Sequence, residues 1–302
     1  MRGTLMYQPE HTRPDVVVIG GGPAGLQATL TLARVHRRVL MIDSGSYRND
    51  PTDHMHNVVT NDGVAPAQFR TAARAELQQY DTVTVRDAAV TAVERSGDGF
   101  VVRIGDEQIE ARGIVLATGV VDELPATAGV AELFGSVIAH CPFCHGHEFA
   151  GGRVGILGVA GAGHLPGIVA PFAAGITVFT DGEELTAAVP ADVVVRTEKV
   201  LEVTPAGGGA TVHLTGGDTV EVKGLFVTTG LRQRAPFAHQ LGLALNPSGC
   251  VEVDVMGRTS LPGVHAAGDM AHQSALPMPM ATVTNAIAAG ANAAGAVVAH
   301  LS

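Results

Sequence analysis

The chain reads Val16-Val17-Val18-Ile19-Gly20-Gly21-Gly22-Pro23-Ala24-Gly25 near its start, where an apolar run leads into a glycine-rich turn. Gly20, Gly22 and Gly25 have G-x-G-x-x-G spacing, which is typical of a dinucleotide-binding turn when it follows a strand and opens a helix. Glycines there let the backbone approach a pyrophosphate, and the helix N-terminus offers unpaired N–H groups to that anion. The pattern therefore predicts a nucleotide-binding α/β unit.

The residues that follow the turn complete such a unit. A helix is predicted to about Val35, and a strand over residues 38–42 ends at Asp43, 18 residues after Gly25. An acid at the end of the second strand can accept a hydrogen bond from a ribose hydroxyl. The order strand, turn, helix, strand and acid argues against a glycine-rich loop without a function.

A second unit has the same pattern. Residues 153–157 predict a strand, residues 158–163 supply a glycine-rich turn, and a helix and a strand over residues 176–179 follow, ending near Asp181. Asp181 again lies 18 residues after the last turn glycine, Gly163. The two units also close on similar strands, at residues 114–119 and 225–230. Shared opening and closing patterns indicate that one nucleotide-binding fold was duplicated.

The predicted fold class is α/β, with two Rossmann-like domains of three layers each, formed by two sheets and helices (ββα). Stretches rich in β-formers, with turns such as Ser96-Gly97-Asp98-Gly99, supply the second sheets. We predict that the segment from about Arg234 onward returns to the first domain. We therefore assign residues 1–119 and 234–302 to one discontinuous domain, and residues 120–233 to a second domain inserted in it.

The chain has three cysteines, and two of them lie in Cys141-Pro142-Phe143-Cys144-His145-Gly146. C-x-x-C spacing can close a small redox-active disulfide, and a histidine, with an ordinary pKa of ~6.5, can take and return a thiol proton. Zinc is the alternative for such a pair with His140 and His147 nearby, but the absence of a second ligand pair disfavours it. We predict that Cys141, Cys144 and His145 are catalytic and that there is no metal site.

Composition excludes several classes of function. The chain has 302 residues and a net charge of −10, which disfavours binding to nucleic acids and to anionic membranes. Residues 1–14 are polar and lack the apolar core of a signal peptide, so a cytoplasmic location is expected. Residues 281–301 are rich in alanine, but their threonine and asparagine side chains favour a buried helix over a membrane span.

The order of these motifs, with Gly263-Val264-His265-Ala266-Ala267-Gly268-Asp269 near the C-terminus, resembles the thioredoxin reductase family over residues 15–302. The resemblance implies that FAD binds to the first, discontinuous domain and that the protein is a homodimer. It also implies that Cys144 is the thiol nearer the flavin and that Cys141 exchanges with the substrate. The implied cofactor-binding residues are Gly20, Gly22, Pro23, Ala24, Gly25, Asp43, Thr118, Gly119, Gly268 and Asp269.

The second domain departs from the family's NADPH-binding pattern. The third turn position holds Ala160, and Asp181, Glu183 and Glu184 stand where the family has a basic cluster. No lysine or arginine occurs between Arg153 and Arg196. A ribose 2′-phosphate needs cationic fork donors, and three carboxylates would repel it. NADPH is therefore a poor candidate, whereas NADH binding, or no nicotinamide binding at all, remains open.

The sequence C-x-x-C-H-G, followed two residues later by Glu148, resembles one branch of the family, the dithiol oxidases of gliotoxin-type and holomycin-type biosynthesis. This resemblance implies an FAD-dependent enzyme that closes a disulfide in a small-molecule dithiol and passes electrons to O2, with His145 as the acid and base. Two alternatives stay open. The first is an NAD(P)H-dependent disulfide reductase of the thioredoxin reductase type, and the second is a flavin redox module that docks a protein partner.

Overall fold

The computed structural model describes residues 13–302. The polar tail predicted for residues 1–14 lies outside the described residues except for its last two. The strands, in chain order, are β1 (Val16–Ile19), β2 (Val39–Asp43), β3 (Val83–Asp87), β4 (Ala92–Ser96), β5 (Gly99–Ile104), β6 (Glu107–Ala111), β7 (Gly113–Leu116), β8 (Val120–Glu123), β9 (Ile138–Ala139), β10 (Arg153–Leu157), β11 (Gly175–Phe179), β12 (Val194–Arg196), β13 (Val200–Ala206), β14 (Gly209–Leu214), β15 (Thr219–Val222), β16 (Gly224–Val227), β17 (Gly230–Gln233), β18 (Val251–Glu252), β19 (Val264–Ala266) and β20 (Ala271–His272). The helices are α1 (Pro23–Arg34), α2 (Pro66–Leu77), α3 (Val130–Leu133), α4 (Pro142–His145), α5 (Leu165–Val169), α6 (Phe237–Gln240) and α7 (Val283–Leu301).

The chain forms two compact units. Unit 1 comprises Met1–Tyr47, as far as it is described, with Arg70–Val120 and Gln233–Ser302, and unit 2 comprises Arg48–Phe69 and Val121–Arg232. The sequence analysis placed all of residues 1–119 in the first domain, whereas the structure packs Arg48–Phe69 with unit 2. Two contacts inside unit 2 account for this: Arg48 forms an ion pair with Asp122, and Gly135 packs against the backbone carbonyl of Pro51.

Unit 1 is built on a parallel sheet of strand order β19-β7-β1-β2-β3. The central strand β1 is buried on both faces, which explains its unbroken apolar sequence. Helices α1 and α7 pack on each other, α7 also packs on β7 and β19, and β4, β5 and β6 form an antiparallel sheet. Because the large sheet is parallel, the loops that follow β1, β2, β7 and β19 meet at its carboxyl edge.

The last helix, α7, confirms the buried helix predicted near the C-terminus. Thr282 caps it, because the Thr282 hydroxyl accepts a hydrogen bond of 3.0 Å from the Asn285 backbone N–H. The buried residues of α7 are mostly alanines, which lets α1 pack against it at short range. Across residues 13–302, none of the helices has both the length and the apolar character that crossing a lipid bilayer requires.

Unit 2 repeats the architecture of unit 1 in its own sheet, of order β12-β11-β10-β16-β9, again parallel. Alternate residues of this sheet enter two separate cores. Leu157 and Leu225 pack with the antiparallel sheet of β13, β14 and β15, while Ile156 and Phe226 pack with α5. This period-two alternation places the sheet between an antiparallel sheet and helices, which confirms the three-layer prediction for this unit.

Candidate active site

The residues predicted to bind a dinucleotide lie at the carboxyl edge of the parallel sheet in unit 1. The glycine-rich turn follows β1, Asp43 ends β2, Thr118 and Gly119 follow β7, and Gly268 and Asp269 follow β19. The four strands are neighbours in the sheet. All ten predicted residues are therefore brought to one edge, which is where open α/β sheets bind their ligands.

The glycine-rich turn has the shape that a pyrophosphate requires. A Cβ at Gly25 would overlap the backbone carbonyl oxygen of Gly20, so the absence of a side chain lets α1 pack directly on the turn. Gly22 caps the 12-residue helix α1, and a Cβ placed there would meet no atom within 4 Å. The space in front of the helix N-terminus is thus open, and the residues present fit the pyrophosphate of a dinucleotide such as FAD.

Asp43 is buried, with 2% of its surface exposed, and lies against the turn. Its carboxylate accepts hydrogen bonds from the Gly45 backbone N–H at 3.1 Å, from Arg74 Nη2 at 3.0 Å and from the Tyr47 hydroxyl. A carboxylate has about four acceptor positions, so one remains for a ribose hydroxyl. Burial, followed by the hydrogen bond to Asp43, raises the pKa of Tyr47 far above its ordinary value, so this hydroxyl stays a donor.

The two cysteines of the C-x-x-C motif flank the start of the single-turn helix α4 in unit 2. Cys141 caps this helix, Pro142 occupies its first position, and the Cys144 backbone N–H donates to the Cys141 carbonyl at 3.1 Å. Neither cysteine forms a disulfide in this structure, and both are half-buried. Within residues 13–302, no group of three histidine, cysteine or acidic side chains is arranged to hold a metal ion.

The thiol of Cys141 is unusually acidic. A hydrogen bond from the Cys144 side chain lowers the pKa of Cys141 to about 7, against the opposing effect of burial, and backbone N–H groups of Cys144 and Phe143 contribute. A large fraction of this group is therefore thiolate at neutral pH, the form that reacts in thiol–disulfide exchange. Phe143, between the two cysteines, is 67% exposed and presents an apolar surface beside the dithiol.

His145 ends helix α4 directly after Cys144. Burial lowers its pKa, and a hydrogen bond to the Gly135 backbone carbonyl and the negative charge of Glu148 oppose that effect. Nδ1 of the ring is buried and makes no hydrogen bond, so we assign the donor to Nε2–H. The lone pair of Nδ1 is then the basic atom of the imidazole.

A buried ion pair lies next to His140, on the other side of the dithiol in sequence. Arg48 binds Asp122 through two hydrogen bonds of 2.7 Å, and the Thr229 hydroxyl donates to the same carboxylate at 2.7 Å. Arg48 Nη2 lies 3.5 Å from His140 Nε2. Burial, followed by the charge of Arg48, lowers the pKa of His140 to about 4, so His140 is neutral at physiological pH.

We predict that replacing Arg48 by methionine lowers the free energy of unfolding by about 3 kcal/mol, because the buried Asp122 carboxylate would lose its partner. The side chains of Arg48 and Asp122 are only 15% and 6% exposed. The matched control is Arg232→Met in the same unit, whose ion pair with Glu123 is more than half exposed and should contribute less than about 1 kcal/mol. Denaturant titration followed by circular dichroism measures both, and equal losses would contradict the prediction.

The second glycine-rich turn is built differently from the first. It forms a 3-10 turn at Val159–Gly161, and the helix that follows, α5, has five residues and starts only at Leu165. The sequence predicted a helix here, and the structure gives a short one, displaced from the turn. Pro166, in the first turn of α5, prevents the helix from extending back toward the glycine-rich turn, and Pro171, directly after the C-cap residue Ala170, ends it. A long helix whose N-terminus faces a pyrophosphate is therefore missing from this part of the described chain.

Asp181, two residues after the end of strand β11, also has a hydrogen-bond partner within unit 2. Asp181 Oδ1 accepts a hydrogen bond of 2.7 Å from the Val200 backbone N–H. The nearest cation along the next strand, Arg196, contacts Glu198 at 2.6 Å and Asp218 at 2.7 Å. Asp181 thus has a structural partner, and the guanidinium of Arg196 is neutralised by two carboxylates.

Several residues around these sites were missed by sequence reasoning. Arg74 pairs with Asp43, Arg48 with Asp122, and His56 with Glu148. These pairs join residues far apart in sequence, so no local pattern predicts them. Glu148 alone had a signal, since it lies two residues after the end of the C-x-x-C-H-G motif.

The chain was compared with known proteins. The sequence pattern of the pyridine nucleotide-disulphide oxidoreductase family matches residues 14–167 and 183–290. Thioredoxin reductase aclD of Aspergillus oryzae is 37% identical over 84% of this chain and 88% of that protein. A probable thioredoxin reductase of Arthroderma benhamiae is 44% identical, but over 50% of this chain and 39% of that protein. The crystal structure of HlmI superposes with a TM-score of 0.87 at 33% identity, covering 97% of this chain and 93% of that one.

Proposed function

The chain belongs to the pyridine nucleotide-disulphide oxidoreductase family, as a thioredoxin reductase-like member, and we propose that it is an FAD-dependent dithiol oxidase. In this proposal Cys141 and Cys144 close a disulfide in a small-molecule dithiol, and O2 is the final electron acceptor. The observation that carries the proposal is the contrast between the two glycine-rich turns. The first fits a pyrophosphate, whereas the second is followed by a short helix and an acidic strand end.

The contrast between the turns bears on the electron donor. An enzyme that takes electrons from NADPH needs cations for the 2′-phosphate, and Arg196 is already paired with Glu198 and Asp218. Glu183 and Glu184, both exposed, add negative charge near Asp181. If NADPH does not reduce the enzyme, a thiol substrate would be the electron donor, as it is in a dithiol oxidase.

The thiol chemistry follows from the geometry of the dithiol. In the oxidised enzyme, a substrate thiolate attacks Sγ of Cys141, the Cys141–Cys144 bond breaks, and Cys144 leaves as a thiolate. The second substrate thiol then attacks the mixed disulfide and releases Cys141 and a cyclic or linear disulfide product. The low pKa of Cys141 makes it a good leaving group in this second step.

Protons must move with each exchange. Two substrate thiols lose protons and two enzyme thiols gain them. We assign their transfer to Nδ1 of His145, which follows Cys144 in sequence and makes no hydrogen bond. FAD, when bound at the carboxyl edge of unit 1, would supply the two-electron acceptor that returns the enzyme dithiol to its disulfide. Overall, a substrate dithiol and O2 give a disulfide and hydrogen peroxide.

An NAD(P)H-dependent disulfide reductase is the second candidate. It is favoured by the name thioredoxin reductase carried by aclD, and by the parallel sheet and glycine-rich turn that unit 2 retains. Such an enzyme would run the same thiol steps in reverse. A flavin redox module that docks a protein partner is a third reading, and it predicts little turnover of free small dithiols.

We expect dithiothreitol to bleach the flavin absorbance of the purified protein under anaerobic conditions, and NADPH to leave it unchanged, because the second turn offers no cation to a 2′-phosphate. Admission of air should restore the absorbance and produce hydrogen peroxide in proportion to the dithiol consumed. Absorbance near 450 nm and a peroxide assay follow both events, with NADH as a parallel sample.

Rapid bleaching by low concentrations of NADPH or NADH would contradict the oxidase proposal and favour the reductase. Failure of both dithiol and nicotinamide to bleach the flavin would favour the partner-dependent module. Bleaching by dithiol without reoxidation in air would remove O2 as the acceptor.

A further inference from the structure

Residues of one unit surround His145. It is preceded by Cys144 and lies near Cys141 and His140, and the ring packs against Phe149 with centroids 6.3 Å apart. Two further groups interact electrostatically with the ring: His56, from the segment Arg48–Phe69, and Glu148, three residues further along the chain. The ionisable groups that interact electrostatically with His145 are therefore two histidines, His56 and His140, and one carboxylate, Glu148.

Glu148 and His56 form a pair beside this ring. His56 Nε2 lies 3.5 Å from Glu148 Oε1, and His56 Nδ1 lies 3.6 Å from Asp62 Oδ1. The His56 side chain is 24% exposed and that of Glu148 is 39% exposed, so water screens this pair only in part. His56 is thus held between two carboxylates, of which Glu148 faces His145.

The position of His56 is fixed by the same unit that carries the dithiol. The Arg48–Asp122 ion pair anchors the start of the segment, and Pro51 packs against Gly135. Gly135 in turn accepts the hydrogen bond of the His145 ring. Further along, Met55 pairs with Val64 in a short antiparallel bridge that encloses His56. The segment therefore holds His56 and orients His145 through one continuous set of contacts.

We propose that Glu148 is a positioning residue of the dithiol site, which sets the charge facing His145 and is itself held by His56. It acts through His145. The charge of Glu148 favours the protonated form of His145, while burial and a charged His56 oppose it. His145 can then hold the proton it takes from a thiol more readily than burial alone would allow. The inference rests on the proposed function only in making His145 the base.

Glu148→Gln tests the proposal, because it removes the charge and keeps the shape of the side chain. The pH titration of the His145 ring, followed by NMR on the full-length, FAD-bound protein with labelled histidine, should move to lower pH. His145→Gln identifies the resonance. In turnover, the acid limb of the pH profile should move the same way, with a ~2- to 5-fold loss of maximal rate, since a weaker base transfers protons less efficiently.

Asp62→Asn is the matched control. It removes the other carboxylate that contacts His56, while an amide oxygen can still accept the hydrogen bond that Asp62 takes from the Asn57 backbone N–H. It should leave the His145 titration in place. An unchanged titration in Glu148→Gln, or an equal shift in both variants, would overturn the proposal. A shift in Glu148→Gln alone supports it even if no dithiol is oxidised by the enzyme, and in that case it is the proposed function that fails.

Discussion

Replacing Cys144 by serine should abolish the bleaching of the flavin by dithiols and lower turnover by at least about a thousand-fold, the order lost when a member of a catalytic unit is removed. The variant keeps the Cys141 thiol, which can still exchange with a substrate disulfide. It cannot re-form an intramolecular disulfide, because serine has no sulfur to form the second bond. Electrons from a dithiol should therefore find no enzyme disulfide to enter. Incubation with a linear disulfide should instead trap a mixed disulfide on Cys141, because its thiolate attacks the disulfide and displaces one thiolate.

Stopped-flow absorbance measures the bleaching, and mass spectrometry of the intact, FAD-stripped chain measures the mixed disulfide. Cys250→Ala is the control, since Cys250 is buried and its thiol contacts the Asp269 backbone carbonyl rather than the dithiol. This variant should keep its rate within about twofold, as expected for a side chain outside the reacting unit. Normal bleaching in Cys144→Ser would show that the C-x-x-C pair does not carry the electrons.

The second large effect is expected at the first glycine-rich turn, where substitution of two glycines should have different consequences. One substitution should lower the stability of the fold, and the other should weaken FAD binding. In Gly25→Ala the new Cβ would overlap the Gly20 carbonyl oxygen and press on Ala117. Backbone atoms cannot move aside as a flexible side chain could, so the free energy of unfolding should fall by more than about 4 kcal/mol, a loss typical of severe overpacking. Little folded, yellow protein should be recovered.

Gly22→Ala should fold normally and bind FAD poorly. Gly22 has an extended backbone with φ of −73°, and a Cβ there meets no protein atom within 4 Å, so stability should change by less than about 1 kcal/mol. The same methyl group would occupy the space for the pyrophosphate and should weaken FAD binding at least about tenfold. Denaturant titration of the apoprotein and fluorescence titration with FAD separate the two effects. Equal FAD affinity in Gly22→Ala and the unchanged protein would move the cofactor away from this turn.

The elements that the sequence predicted well have local causes. Strand β1, the glycine-rich turn and Asp43 are close in sequence. Strand β1 is apolar because it is buried on both faces, the turn is rich in glycine because an anion needs room there, and Asp43 is an acid at the end of a strand. The period-two alternation of unit 2 likewise follows from single strands such as β10 and β16. Such features need only neighbouring residues, so pattern and spacing are enough to predict them.

The features that the sequence did not predict depend on distant partners. The pairing of Arg48 with Asp122 places a segment in unit 2 that the motif order left in the first domain. The environment of His145 depends on His56 in the same way. The short helix α5 is a different case, because its glycine-rich turn resembles the first one, and Pro166 and Pro171 limit the helix at its two ends.

The division of the chain into segments has a consequence for how the protein is synthesised. Unit 1 needs β19 beside β7 and α7 beside α1, and both elements come from Gln233–Ser302. The ribosome finishes all of unit 2 first, and the final segment needs a further ~4 to 14 s at ordinary translation rates. The unit that starts the chain is thus completed last, and until then β7 carries an unpaired edge, which is a template for pairing with another chain.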